Sequence, residues 1–387
     1  MKTPIFLTIL IHLQLFNTNI ELLYPEFWAS AFDEMDKGQY NLQNQISRKY
    51  ENQIAQAGDT VNVPVTPAFT AANWTPGDAI SPSSITQETV PVILNKSKSV
   101  PFQLTGKEMS LSPYQLIQDY GRPAVEAILA QLNLDIYEEM LASQYLIDAT
   151  SGLTESKIID AGAALSNRKI QNGGRIITAS PDDMATLMKL SAFSQANITG
   201  KTDVVIDGLI TKRYGFDFFS NNAISKYTPV DLVGAVNNGA GYAAGATSMV
   251  VNGFNDDANP IRKGDVFTVA GDSVQHVVQT VTASSGDTIG LTFLPALGAS
   301  VVDTAVITVV ATKSLLAFVP SATALAARPY AVMPQGTGVM STVVNYQGIP
   351  IRISVFHDGK LGLIVQYDIL YGVKNIDTRR IQRIITA

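Results

Sequence analysis

The 387-residue sequence contains no cysteine. That excludes disulfides, iron–sulfur clusters, thiolate zinc sites and cysteine nucleophiles together. Its three histidines, His12, His276 and His357, lie far apart in the chain and leave little for histidine metal chemistry. Charged residues make up only 16%, against about 25% in an average soluble protein, and mean hydropathy is +0.14. Long apolar runs are also missing, since none reaches the roughly 20 residues that span a bilayer. Something other than membrane is therefore expected to cover part of a charge-poor surface. The net charge of -6 argues against a general nucleic-acid binder, which would carry a basic balance, but leaves room for a local basic patch. At about 150 residues per domain, the length suggests two to three domain-sized units.

At the N-terminus, Lys2 precedes an apolar stretch from Ile5 to Phe16 that Thr8, His12 and Gln14 interrupt. No small-x-small cleavage site follows. The stretch reads as an amphipathic arm packed on a partner; a secretory signal or an over-long start is the other reading. Secretion would make Asn73 and Asn197 glycosylation acceptors. Residues 20–57 read as helix, with Leu22, Leu23, Trp28, Phe32 and Met35 near helical spacing. The polar part from Asn41 to Gln56 needs a neighbour to fold against.

From Gly58 the period changes to two. Val61, Val63 and Val65 alternate with polar residues, as do Val90, Val92 and Leu94, then Val100 and Phe102. About 25 turn-forming residues lie between the first two runs, and loops of that length in compact domains are commonly functional. Trp74 near the tip favours contact with a partner; the alternative is a folded-back loop that buries its own tryptophan. Residues 112–146 form the longest helical stretch, with Gly121 and Pro123 expected to break or kink it. Beyond the break, Val125, Ile128, Leu129, Leu132, Ile136, Met140 and Leu141 form an apolar stripe. Asp135, Glu138 and Glu139 read as a solvated face.

Residues 157–227 alternate helix and strand, with Ser180 capping a helix whose first turn carries Asp182 and Asp183. Residues 228–312 hold short β runs at regular spacing (SMVVNGF, DVFTVAG, HVVQTVTA, IGLTFL, AVITVV), the signature of a small barrel or sandwich. This stretch interrupts an α+β region and reads as an inserted domain. Residues 313–387 return to α+β, with Leu315–Val319 a buried strand, Ser321 capping a short helix and a hairpin turning at Gln347-Gly348. Arg379, Arg380 and Arg383 cluster near Asp377. They form either ordinary surface ion pairs or a contact with a neighbouring subunit.

No catalytic constellation stands out. There is no GxSxG elbow, no Walker loop, and the glycines of 237–246 lack dinucleotide-loop spacing. EF-hand spacing fails in NGFNDDANP, although Asp256 and Asp257 could hold a loop ion. His276 and His357 read as structural. No cofactor, metal site or enzymatic activity is expected.

The order of these segments resembles one family, the major capsid (coat) proteins of tailed bacteriophages, whose fold is shared with herpesvirus capsid floors. AGDTVNVPVTPAFTAANWTPGDAI and ITQETVPVILNKSKSVPFQLTGKEM resemble its extended loop. PAVEAILAQLNLDIYEEML resembles its long spine helix. RIITASPDDMATLMK and DGLITKRYGFDFFSNNAI resemble its axial domain, KGDVFTVAG the insertion domain of short-tailed-phage coat proteins, and VQYDILYGVKNIDTRRIQRI its final strand. Residues 1–19 match nothing in the family. No charge-dense segment precedes the coat-like region, so a fused scaffold is not expected.

The resemblance implies an α+β capsid fold with an inserted all-β domain. Its parts would be an N-terminal arm (1–57), an extended loop (58–105), a peripheral domain (106–156 and 346–387), an axial domain (157–227 and 313–345) and an inserted β-barrel (228–312). It implies a structural, non-enzymatic subunit assembling with itself as pentamers and hexamers into an icosahedral shell. Partners would be a scaffolding protein and a portal during assembly, and packaged double-stranded DNA on the inner face without sequence-specific binding. The location would be the virion, with assembly in the host cytoplasm and no membrane. Trp74, Pro76, Gly77 and Asp78 are the expected loop contacts, and Arg379, Arg380 and Arg383 an electrostatic contact between subunits. A secreted or surface β-rich binding protein is the alternative, and an enzyme with an unrecognised site a third reading.

Overall fold

The structure, a computed structural model, describes residues 25–32, 40–49, 60–65, 71, 73, 76–77, 87–108, 113–194, 212–254, 260–282, 288–311, 313–334, 338–357, 359 and 362–386. Its body is built on two sheets. The five-stranded sheet runs Thr323–Arg328, Leu363–Asn375, Ile349–His357, Val339–Tyr346, with Lys96–Leu104 also paired to Leu363–Asn375. All its pairings are antiparallel. Its tight turn is at Gln347-Gly348, where φ is 48° and 81°. Two consecutive positive φ values match the right-handed twist of a hairpin, which is why a glycine stands there.

The long helix, Arg122–Met140, lies across one face of this sheet. Ile128, Leu132 and Ile136 are buried with Ile353, Val365 and Tyr367 in one apolar cluster. Each such side chain stabilises by about 1.5–3 kcal/mol relative to exposure. The break expected at Gly121 and Pro123 is a π-helical turn over Ile117–Gly121, with Pro123 in the first turn of the helix that follows. There a missing backbone N–H costs nothing. The helix stops at Met140, short of the expected residue 146, because Leu146–Asp148 leaves it to pair in parallel with Ile381–Thr386.

The six-stranded sheet has the order Leu146–Asp148, Ile381–Thr386, Lys313–Phe318, Arg175–Ala179, Phe216–Ser220, Lys212–Arg213. Helices Glu155–Asn167 and Pro181–Lys189 contribute Ile158, Leu165, Met184 and Leu187 to its core. Ser180 caps the second helix as expected, accepting the Asp183 N–H at 3.2 Å. Pro320–Ala322, where Ser321 was expected to cap a helix, is one 3-10 turn before the chain re-enters a strand.

Between the two visits to the six-stranded sheet the chain forms a closed six-stranded barrel: Val266–Val269, His276–Val281, Thr288–Leu294, Ser248–Asn252, Val233–Val236, Val306–Val310. Its core holds Phe267, Phe293, Val278 and Ile307. The hairpin Thr60–Pro64 with Thr89–Ile93 stands at the edge of the body. Its inward residues Val61, Val63, Val92 and Leu94 pack on Ala324 and Ala326 of the five-stranded sheet.

The helix expected over 20–57 is present, among the described residues, only as short pieces, Pro25–Ala29 with a 3-10 turn at Ser30–Phe32, and Leu42–Gln45. The chain bends because its anchors reach different neighbours. Trp28 sits against Phe102 at 5.4 Å between ring centroids, and Phe32 against Tyr346 at 5.3 Å. Two of the polar residues here, Gln43 and Gln45, are buried rather than solvated. Asn133 of the long helix accepts the Leu42 N–H at 2.9 Å and donates to Gln43 Oε1 at 2.9 Å. Asn221 donates to Asn133 at 3.0 Å, and Thr178 donates to Gln45. A buried polar group left unpaired is costly, so this network fixes where the arm lies.

Candidate subunit-contact surfaces

Two sets of residues were expected to meet neighbours. Of the loop set, Pro76 and Gly77 form an exposed turn, with Gly77 at φ +106°. That φ favours glycine. Trp74 and Asp78 lie outside the described residues, as do residues 1–19, His12, Asn197, Asp256 and Asp257. The hairpin that carries the turn crosses the strand Leu363–Asn375 at Gly372, where any Cβ would run into Ile93 O and the Ile93 carbonyl carbon. Only a glycine allows the two backbones to approach so closely.

The arginine set divides. Arg379 Nε donates to Asp377 Oδ1 at 2.9 Å, and Arg380 Nε to Asp377 Oδ2 at 3.1 Å. Burial works to raise the Asp377 carboxyl, but the hydrogen bonds and charge of Arg379, helped by Arg380, outweigh it and hold the group below the usual carboxylate range. Arg383 does not join this cluster. It faces inward and is buried at 2% exposure, donating to Leu141 O at 2.5 Å and to Ser314 Oγ at 3.1 Å. Burial pulls its guanidinium down to about 10. Arg380, Asp377, Arg48 and Lys49 line an open groove of about 560 Å³ with Pro64 and Ser321. The groove lies where the hairpin root, the arm and the end of the five-stranded sheet converge.

The acids read as a solvated face are instead engaged. Asp135 is buried at 4% exposure and accepts the Tyr371 O–H at 2.5 Å. Glu138 and Glu139 pair with Arg262 and Lys263 of the insert. Nothing in the sequence marked these partners, because each is more than 100 residues away in the chain. His276 is buried in the barrel with Nδ1 2.8 Å from Pro295 O and its ring 5.0 Å from Phe293, and His357 lies in a strand of the five-stranded sheet. Among the described residues no group of three His, Asp or Glu side chains could hold a metal ion, and no helix is long and apolar enough to cross a membrane. Exposed apolar residues lie on the barrel: Val302 is 73% exposed and Val233 61%.

No family model matches the sequence, and no curated protein matches it. The solved structures do. The likeness shows a fold, the α+β capsid fold, and this chain carries a six-stranded barrel within it. A chain from Mycobacterium phage Che8 aligns with a TM-score of 0.52 at 14% identity, covering 91% of this chain and 93% of that one. The capsid of the cyanophage P-SCSP1u aligns at a TM-score of 0.47 and 10% identity, over 86% of this chain and 84% of that one. The capsid of an empty GTA particle does so at 0.47 and 8%, over 91% of each chain.

Proposed function

We propose that this chain is a structural capsid subunit. Copies would assemble as pentamers and hexamers into an icosahedral shell around the double-stranded DNA of a tailed phage. The observation that carries the reading is the fold, aligned along nine-tenths of the chain. The parts would be the arm at 1–57, the extended loop at 58–105, the peripheral domain at 106–156 and 346–387, the axial domain at 157–227 and 313–345, and the insert at 228–312. The role is structural rather than catalytic.

Physical chemistry supports the same reading. Obligate interfaces are large and more apolar than ordinary surface, and a chain with 16% charged residues suits them. Shells close through heterologous contacts repeated by rotation. The hairpin turn at Pro76 and Gly77, with Trp74 and Asp78 beside it, reaches a neighbour in this scheme, and Arg379 and Arg380 lie at an electrostatic contact. Arg383 supports the body from within. A scaffolding protein and a portal serve assembly in the host cytoplasm. DNA lies against the inner wall of the virion without sequence readout, and the net negative charge keeps that contact weak.

Electron microscopy of the purified protein, alone and with a scaffolding protein, tests this. Shells with five- and six-fold clusters are the expected result. A monodisperse monomer under every assembly condition overturns the proposal. Deleting Thr70–Ser84 is expected to leave a folded monomer that assembles poorly; unchanged particle yield would remove the loop from the contact.

A further inference from the structure

Asp135, Glu138 and Glu139 stand at i, i+3 and i+4 in the last turns of the long helix, so they share one face. That face holds two elements that come from distant parts of the chain. Lys96 and Lys98, on the strand that continues the hairpin, place Nζ 3.4 Å and 3.5 Å from Asp135 Oδ2. Arg262 Nη1 is 2.5 Å from Glu138 Oε1, and Lys263 Nζ 2.6 Å from Glu139 Oε2, both from the loop entering the barrel strand Val266–Val269. Lys374, on the strand Leu363–Asn375, adds a fifth contact, 3.7 Å from Glu139 Oε1. The same helix end then meets the barrel directly. Gly264, at φ +94°, lies so close that a Cβ would be 2.6 Å from Leu141 Cβ. Gln279 Nε2 donates to Ala142 O at 2.8 Å.

Carboxylates at the C-terminal end of a helix are at the wrong end of its dipole. Like charges at i, i+3 and i+4 also repel. The helix end is therefore stable in this form only while cations from outside neutralise it, and all of those cations but Lys374 belong to the hairpin strand and the barrel loop. These pairs are half-buried, so salt screens them less than it would exposed pairs. We propose that the last turn of the long helix couples the seating of the inserted barrel to the seating of the hairpin's root strand. Withdrawing either set of cations leaves the remaining carboxylates uncompensated, frays the turn and loosens the other element. The coupling lies within one subunit and holds whether or not the chain builds a shell.

Amide hydrogen exchange on the full-length protein, read by mass spectrometry, tests it. In Arg262→Gln/Lys263→Gln, exchange is expected to rise at least about fivefold in residues 96–104 as well as in 262–281, a factor at the low end of ordinary coupling between sites. Strand Arg175–Ala179, in the other sheet, stays unchanged. Reciprocity requires Lys96→Gln/Lys98→Gln, which withdraws the other set of cations, to accelerate 262–281 in turn. Faster exchange in the barrel loop with residues 96–104 unmoved overturns the proposal, and so does no change in either segment. If the double variant fails to fold, a salt series on the wild-type protein from about 0.1 M to about 1 M reads the same segments. Joint acceleration supports the coupling; acceleration of one alone, or of neither, overturns it.

Discussion

The barrel and the hairpin both leave the two-sheet body, and they are stabilised in opposite ways. The barrel closes on itself, and its core of Phe267, Phe293, Val278 and Ile307 comes from the insert alone. It has no sheet edge, and among the described residues it meets the body through ion pairs, hydrogen bonds to backbone carbonyls and a small apolar contact of Val266 and Val277 with Ile385. The hairpin has two strands and completes its apolar cluster only with Ala324 and Ala326 of the body. A lone two-stranded hairpin is marginal in water. One excursion thus carries its own stability and needs only to be seated, while the other takes its stability from the surface it lies on.

The strongest way to break this contrast is in the barrel core. Phe267→Ala removes a fully buried ring that meets Phe293 at 5.5 Å. It should cost about 3–5 kcal/mol, measured by denaturant unfolding, with protease cuts confined to the barrel. Cuts spreading to both sheets would show that the barrel is not autonomous. Next comes Gly372→Ala, which forces the hairpin off the strand it crosses. Overpacking of this kind costs about 1–3 kcal/mol, and limited proteolysis should open residues 87–104 first while the barrel resists.

A smaller effect sharpens the seat of the barrel. Burial pushes the Asp265 carboxyl up to about 6, against the Arg262 N–H and the charges of Arg262 and Arg383, which pull it down. An acid raised in the folded state stabilises below its ordinary value near 3.9 and loses that contribution as pH rises through the folded value. Asp265→Asn should therefore be more stable than wild type at pH 7.5 by on the order of 1 kcal/mol, with the difference vanishing below about pH 4. Thermal melts of both proteins across that range check the sign. The smallest effect is Arg379→Gln. Its pair with Asp377 is half-exposed, and such pairs are worth about 0–1 kcal/mol, so the monomer melt should hardly move while any effect on assembly shows separately.

Elements with a local signal were legible in the sequence. Alternation at Val61–Val63 and Val90–Val92, the Gln347-Gly348 turn, the Ser180 cap and five of the six barrel strands could be read from neighbouring residues. The sixth, Val233–Val236, is four residues with a glycine and an alanine and has too little apolar pattern to register. What escaped was pairing at a distance. Asp135, Glu138 and Glu139 looked solvated because their cations lie elsewhere in the chain. Arg383 looked like part of a surface cluster because Arg379 and Arg380 are near it in sequence, yet its strand turns it inward. Gln43 and Gln45 looked like part of a polar stretch with few anchors, yet Gln43 is tied to Asn133 of the long helix, itself bonded to Asn221, and Gln45 to Thr178. A single sequence shows which groups are polar, not which are paired.

The pairing of Lys96–Leu104 with Leu363–Asn375 also sets a schedule. During synthesis the root strand of the hairpin and the long helix emerge more than 200 residues before the strand that completes their sheet. Until then their apolar faces lack the sheet that covers them in the finished fold. The barrel strands, all within Val233–Val310, can close as soon as they leave the ribosome. Contacts distant in sequence form slowly, and unpaired apolar surface invites aggregation in the interval. The nascent chain therefore carries a finished barrel on an unfinished body, and its five-stranded sheet closes over the long helix only when one of its last strands arrives.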